Sequence, residues 1–294
     1  MKYAWIREHR DDYSVVRLCR AMQVSQSGFY RWLDSEPGPR SRRTAAIRAA
    51  VMEVYQQSNC IYGSYKIAEK LKSDERLETA CRNTVAKAMK DLGIKSRVSR
   101  KFKPTTTVSD PGGKPAPNIL AQDFKADAPN QKWVADITYL PVLTGWVYLA
   151  VVIDLFSRKV VGWKMSDRLT TPLVTGALKN AIQARKPETK DLLHHSDRGC
   201  QYTSEAFQTI MQTANITCSM SRTGCCYDNA VVERFFWSLK HEWTKFEEFE
   251  NLDAARLSVF KYIETFYNSE RIHQTLEYQT PDEVERKYHA ALAA

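Results

Sequence analysis

The stretch Trp133-Val134-Ala135-Asp136-Ile137-Thr138-Tyr139 decides how the second half of the chain is read. Apolar, β-branched and aromatic residues dominate it, the composition of a strand, yet an acid stands at its centre. A carboxylate in such surroundings is destabilising unless it meets a partner or a metal ion. Working outward, the same pattern predicts strands over 132–142, 146–155 and 159–165. A helix over 172–185, a short strand over 192–195, a helix over 204–215, a strand over 216–221 and a helix over 229–243 follow. Three hairpin-like strands and then alternating helix and strand predict a mixed sheet covered by helices, an α+β or α/β core.

Upstream the pattern changes. Residues 101–118 hold four of the eleven prolines (Pro104, Pro111, Pro115 and Pro117) with Gly112-Gly113, and read as a linker. Before it the periodicity is helical. Val15, Val16, Leu18, Cys19 and Met22 follow helical spacing, Gln23-Val24-Ser25 breaks it, and Gly28-Phe29-Tyr30-Arg31-Trp32 resumes it. Pro37-Gly38-Pro39 ends this helix-turn-helix, and Arg40, Arg42, Arg43 and Arg48 load the next helix. A second pair follows, with Ser64 capping one helix and Asn83-Thr84 capping another, which Gly93 ends in the left-handed conformation. Arg82, Asn83, Thr84 and Lys87 open that last helix. Side chains of this kind bind phosphates and base edges, and a recognition helix presents its N-terminal residues to the major groove.

Charge follows the same division. The 294 residues carry 43 Lys and Arg against 34 Asp and Glu, a formal +9 that favours polyanionic partners. Residues 1–110 hold 22 basic and 12 acidic side chains and residues 111–294 hold 21 and 22, so the whole excess lies in the helical half. A hydrophobic share of 43% with 26% charged residues excludes wholesale disorder. The longest apolar run, eight residues from Trp146 to Ile153, is far short of the ~20 a bilayer span needs. Met1-Lys2-Tyr3-Ala4-Trp5-Ile6-Arg7-Glu8 breaks into charge too early for a secretory leader, so the expectation is a cytoplasmic protein with no membrane partner. Seven cysteines without a C-x-x-C pair indicate neither a disulfide framework nor a cysteine zinc site.

Two further acids join Asp136 as candidates. Asp197 ends a short apolar strand at Ser196-Asp197-Arg198-Gly199, the edge where α/β sheets place working groups. Glu233 lies on the helix over 229–243. In a regular helix Val231, Val232, Phe235, Phe236, Leu239 and Trp243 fall in one arc of ~140°, with Glu233, Lys240 and Thr244 within ~40° beyond its border. One such acid is ordinarily structural; three at the ends or seams of core elements fit a site for Mg²⁺ or Mn²⁺. Two such ions activate the attacking oxygen and stabilise the leaving one in an in-line phosphoryl displacement. Asp154 reads as a turn cap or an auxiliary acid. His194 and His195 cannot both face the site, because neighbours on a strand point to opposite faces. Asp228-Asn229 is placed to cap the helix of Glu233, Thr280-Pro281-Asp282-Glu283 is a capping box, and Arg271 and His273 read as DNA contacts or as structural residues.

The segments W-V-A-D-I-T-Y, H-S-D-R-G and D-N-A-V-V-E-R-F-F-W-S-L-K, with 60 residues between Asp136 and Asp197 and 35 between Asp197 and Glu233, closely resemble the signature of the DDE transposase and retroviral-integrase superfamily. Within it the chain resembles the downstream-frame catalytic protein of the bacterial insertion-sequence family numbered three. Y-G-S-Y-K-I-A at Tyr62 is similar to that family's helix-turn-helix-like domain, and Y-N-S-E-R-I-H-Q-T-L with T-P-D-E to its closing motif. The resemblance implies an RNase H-like core, a mixed five-stranded sheet flanked by helices, preceded by all-helical helix-turn-helix segments. With it the chain divides into a helix-turn-helix-like segment over 1–36, a helical linker and second helix-turn-helix-like DNA-binding domain over 37–100, a proline-rich linker over 101–130, the catalytic core over 131–244 and a helical extension over 245–294. Asp136, Asp197 and Glu233 would hold two Mg²⁺ ions, with Mn²⁺ able to substitute, and Lys240, Arg234 and His241 would meet phosphates. The implied reaction is Mg²⁺-dependent cleavage at the element's ends to expose a 3′-OH, then strand transfer, with no covalent protein intermediate. Double-stranded DNA, as terminal inverted repeats and target, is the implied partner. Other copies of the chain on DNA and the upstream-frame protein of the same element are further implied partners, in the bacterial cytoplasm at the nucleoid. A nuclease or resolvase of the same fold and a catalytically inactive DNA-binding regulator are the alternatives. Cys225 departs from the polar residue the pattern carries there. The His/Cys zinc module of retroviral integrases is missing, since His9 is the only histidine before His194.

Overall fold

The strand that holds Asp136, β1 (Lys132–Val142), is the centre of a five-stranded sheet. With β2 (Gly145–Asp154) and β3 (Val160–Ser166) it forms an antiparallel meander, and β4 (Leu193–Ser196) and β5 (Thr217–Met220) add on its other side in parallel, in the order β3-β2-β1-β4-β5. The mixed sheet is the one expected, with each strand within two residues of its expected ends. The computed structural model describes residues 2–34, 38–74, 77, 80–97, 116–187, 191–222 and 226–294. Pro37, Pro104, Pro111, Pro115 and Cys225 lie outside the described residues.

One face of the sheet packs under α7 (Thr171–Arg185) through Trp133, Ala135, Ala150, Val152 and Val161 against Leu173, Val174, Ala177, Leu178 and Ala181. Gly162 permits that approach, because a Cβ there would lie 2.6 Å from the Ala181 Cβ. The short α8 (Cys200–Thr203) and α9 (Glu205–Thr213) close the same cluster with Tyr202, Phe207 and Met211. Against β1 also lie α10 (Ala230–Ser238), which runs on into a π turn over Leu239–Trp243, and α11 (Leu252–Phe260), which runs into another over Lys261–Tyr267. The capping box forms as expected and opens α12 (Pro281–Ala293), Glu283 N–H donating to Thr280 Oγ1 and Thr280 N–H to Glu283 Oε2.

Contacts divide the chain into two units, Met1–Gln56 with Ile67–Ile94, and Gln57–Lys66 with Lys95–Ala294. The helical unit contains α1 (Lys2–His9), α2 (Val15–Ala21), α3 (Gln26–Leu33), α4 (Pro39–Gln57), α5 (Ser64–Leu71) and α6 (Arg82–Asp91), though the unit boundaries pass through the ends of α4 and α5. Ile6, Leu18, Cys19 and Phe29 form the core of the first three helices. Ser25 starts α3 by accepting from Gly28 N–H, and Gly93, at φ +68°, ends α6 as expected. The start of α6 differs from expectation: Cys81 occupies the cap position and Asn83 and Thr84 lie inside the first turn, with the Thr84 hydroxyl 3.1 Å from Cys81 Sγ.

The second unit includes residues on both sides of the α5–α6 pair. Tyr62 is buried, its hydroxyl donating to Glu270 C=O at 3.2 Å and accepting from Ile272 N–H at 3.1 Å. Ser96 Oγ donates to Ile61 C=O, and the Arg97 guanidinium lies 4.2 Å over the Phe246 ring. These contacts extend the second unit upstream of the expected 101–130 linker.

Candidate active site

The length of β4 creates the site. It is four residues long and pairs with β1 only at Lys132, Trp133 and Val134, so further along, at Asp136, the β1 edge on that side has no strand partner. Asp136 is half-buried at this open edge, its Oδ1 accepting from the Ile137 amide. Asp197 follows directly on β4, and its Oδ1 accepts from Gly199 N–H at 3.0 Å. Glu233, in the first turn of α10, is exposed. Asn229, just ahead of that helix, donates from Nδ2 to Ala135 C=O, which fixes the start of α10 beside Asp136.

Asp197 and Glu233 both act on Asp136. Burial pushes the Asp136 carboxyl well above the usual carboxylate range, and Asp197 and Glu233 push it further, while the Ile137 amide and Lys240 draw it back. Burial also raises Asp197, against the pull of the Gly199 amide, and partial desolvation of the carboxyl raises Glu233, although that residue as a whole is exposed. Among the described residues, no three His, Cys, Asp or Glu side chains close into a ready metal cage. The donor set nevertheless fits a hard divalent cation: carboxylate oxygens, two of them on carboxyls that resist ionising side by side, with the Lys240 ammonium drawing Asp136 toward its ionised form.

Lys240 does not share a helix face with Thr244 as expected. The π turn at Leu239–Trp243 breaks the regular spacing; Thr244 turns inward and is buried, while Lys240 Nζ lies 4.5 Å over the Tyr139 ring. Arg234 is exposed and stacks 4.5 Å over Trp237. His241, expected at phosphates, is instead buried, stacked on Trp237 at 4.5 Å with Nδ1 against Trp237 C=O. In the helical unit Arg42, Arg43, Arg82, Asn83 and Lys87 are exposed and Thr84 is half-buried.

The expected cap takes another form. No side chain caps α10; the buried Asp228 carboxylate instead accepts from Arg222, Asn118 and Gln122. His195 is buried between the Ser219 and Ser221 hydroxyls, and burial lowers its pKa to about 4. Asp154 is a turn residue, accepting from the Asn130 and Phe156 amides beside Arg185. Arg271 is a core residue, Nε and Nη2 each donating to Glu242 at 2.6 Å. His273 stands edge-on to Tyr267. Sequence reasoning missed Tyr139 and Tyr202. An aromatic three residues after Asp136 and another five after Asp197 were the available signals.

An integrase core domain family matches residues 126–226, a second integrase core family residues 214–281, and an HTH-like domain family residues 42–102. The chain is 39% identical over 289 residues to transposase InsF for insertion sequence IS3A of Escherichia coli K12, covering 98% of this chain and 99% of that protein. It is 35% identical over 276 residues to the uncharacterized 31 kDa protein of insertion element IS600 of Shigella sonnei, covering 94% and 100%. A solved structure, the HTLV-2 integrase catalytic core domain in complex with magnesium, is similar at 19% identity and a TM-score of 0.43, over 55% of this chain and 99% of that chain.

Proposed function

The chain belongs to the IS3 family of insertion-sequence transposases, and on that premise we propose that it cuts DNA at the ends of its own element and joins them elsewhere by direct phosphoryl transfer. What supports this reading is that the charges of Asp197 and Glu233 both bear on Asp136, which stands at the open edge of β1. Asp136 and Asp197 would hold one Mg²⁺ and Glu233 would complete a second site, and Mn²⁺ would suit the same oxygen ligands. When bound, the ions supply activation of the attacking oxygen and stabilisation of the leaving one.

The chain's own groups do the rest. Lys240, held over Tyr139 at the site, and Arg234 on the exposed face of α10 neutralise DNA phosphates. Arg82, Asn83, Thr84 and Lys87 at the start of α6, with Arg42 and Arg43 on α4, grip the terminal inverted repeats. Water attacks the phosphorus at the element's end and displaces the element's 3′-oxygen, and the freed 3′-OH then attacks a target phosphodiester and displaces the target's own 3′-oxygen. No Ser or Tyr nucleophile takes part. The active assembly is several copies of the chain on bacterial chromosomal DNA, alone or with the upstream-frame protein.

The test is strand joining on element-end DNA. Asp136→Asn, Asp197→Asn and Glu233→Gln are each expected to lose joining by about a hundredfold or more with DNA binding intact. Full joining by all three overturns the assignment, and cleavage without joining by the unaltered protein makes it a nuclease or resolvase instead.

A further inference from the structure

Five residues after Asp197 stands a buried hydroxyl that takes no part in the phosphoryl transfer. Tyr202 is 1% exposed, and its hydroxyl has no hydrogen-bond partner. Its ring is packed edge-on to Phe207 at 5.3 Å, with the His194 ring at 6.5 Å. The loop that carries it is the loop of Asp197. Gly199 N–H donates to Asp197 Oδ1, and Gly199 C=O accepts from Tyr202 N–H at 2.9 Å, so the carboxylate and the tyrosine are fixed to one tight turn. A side chain at Gly199 would press on that arrangement, with a Cβ 3.0 Å from Asp197 Oδ1.

The charges that act on the Tyr202 phenol are Asp136 and Asp197. A phenol can donate one hydrogen bond, and an ionised carboxylate can only accept. A buried hydroxyl without a partner is a strained choice for a core that already offers Phe at position 207. Its natural acceptor is a carboxylate, and a bound divalent cation favours the ionised form that accepts.

We propose that Tyr202 is a positioning residue for the aspartate pair, its hydroxyl donating to a carboxylate oxygen of Asp136 or Asp197 when a divalent cation draws the two together. The inference rests on the transposase reading of the same site. The hydrogen bond fixes which oxygens turn toward the cation, the part that second-layer donors play around metal-binding carboxylates. In the metal-free protein the hydroxyl is idle, so its removal leaves the fold unharmed.

The experiment compares the full-length protein with Tyr202→Phe and Tyr202→Leu. Mn²⁺ binding is followed by the paramagnetic resonance signal of the free ion. Metal-free unfolding temperature, metal-free binding to element-end DNA, and joining are measured alongside. The expected result is that Tyr202→Phe weakens Mn²⁺ binding by about tenfold or more, with the metal-free unfolding temperature and DNA binding unchanged. Wild-type Mn²⁺ affinity in Tyr202→Phe overturns the proposal, as does a loss confined to Tyr202→Leu, which assigns the residue to packing. A Tyr202→Phe defect that disappears in a His194→Phe background also overturns it, since the imidazole is then the partner. If Asp136→Asn joins DNA normally, the transposase site itself is misassigned. If Asp136→Asn is inactive while Tyr202→Phe binds Mn²⁺ normally, only the role of Tyr202 falls.

Discussion

His194 is fully buried on β4 with neither ring nitrogen hydrogen-bonded, and burial, with His195 adding to it, holds its pKa down at about 3. An unfolded chain takes up this proton near pH 6.5, whereas the folded one stays neutral. The unfolded state therefore binds more protons below that value, and stability is lost as pH falls from about 6.5 toward 3, by about 2 kcal/mol at pH 5. Replacing His194 with Phe is expected to remove that share of the acid sensitivity. Denaturant unfolding at pH 8 and pH 5 measures it, and an unchanged difference between the two pH values refutes it. The adjacent histidines were legible only as a pair that must part to opposite faces. The three acids were far more legible, since an acid inside W-V-A-D-I-T-Y conflicts with its surroundings in a way one sequence displays. Tyr202 was not, because what sets it apart is a buried hydroxyl without a partner, which only the folded chain displays. Asp228 also escaped: its position ahead of a helix indicated a cap, whereas its charge is spent on Arg222, Asn118 and Gln122 from two other segments.

At the level of elements, the boundaries follow strand alternation and helix periodicity closely, and the departures come where backbone hydrogen bonds shift without a sequence signal. The π turn at Leu239–Trp243 is the main case: the spacing of Phe235, Phe236, Leu239 and Trp243 suits a regular helix, yet the turn buries Thr244 and leaves Lys240 near Asp136. What steadies this turn is Arg271, reaching Glu242 through two 2.6 Å bonds and Ser238 through a third at 3.2 Å. Glu242 holds its carboxyl below the usual range against burial because Arg271 faces it. Arg271→Met strands that charge in the core and is expected to destabilise the fold by about 3–5 kcal/mol. Pairing it with Glu242→Met is expected to restore most of the loss, since apolar side chains of similar size often replace a buried ion pair at little expense. Urea denaturation of the two single variants and the double gives the comparison. Losses that simply add in the double variant contradict this account of the pair.

Across the whole molecule, the two chain segments that flank α5 and α6 are built into the second unit. Tyr62 bonds to Glu270 and Ile272, and Arg97 lies over Phe246. Tyr62→Phe removes one donor and leaves the Ile272 amide without its acceptor, which is expected to lower stability by about 1–3 kcal/mol in denaturant unfolding. A loss below the error of the method counts against the bracing. Charge distribution leads to the last expectation. The excess of basic side chains lies wholly in residues 1–110, while residues 111–294 are close to neutral. Each DNA phosphate neutralised by a Lys or Arg adds about −0.9 to the slope of log K against log salt. Arg42, Arg43 and Lys87 are exposed in the helical unit, whereas Lys179, Arg256 and Arg286 are exposed in the second. Replacing the first three with Ala is expected to make the salt slope of DNA binding shallower by roughly 2–3. Replacing the second three, an equal change in net charge, is expected to leave it within about 0.5 of the original. The two triple variants, titrated against the same DNA from low to high salt, separate local contact from overall charge. Equal shifts in both would mean that DNA responds to the net charge of the chain, and that the helical unit has no special grip on it.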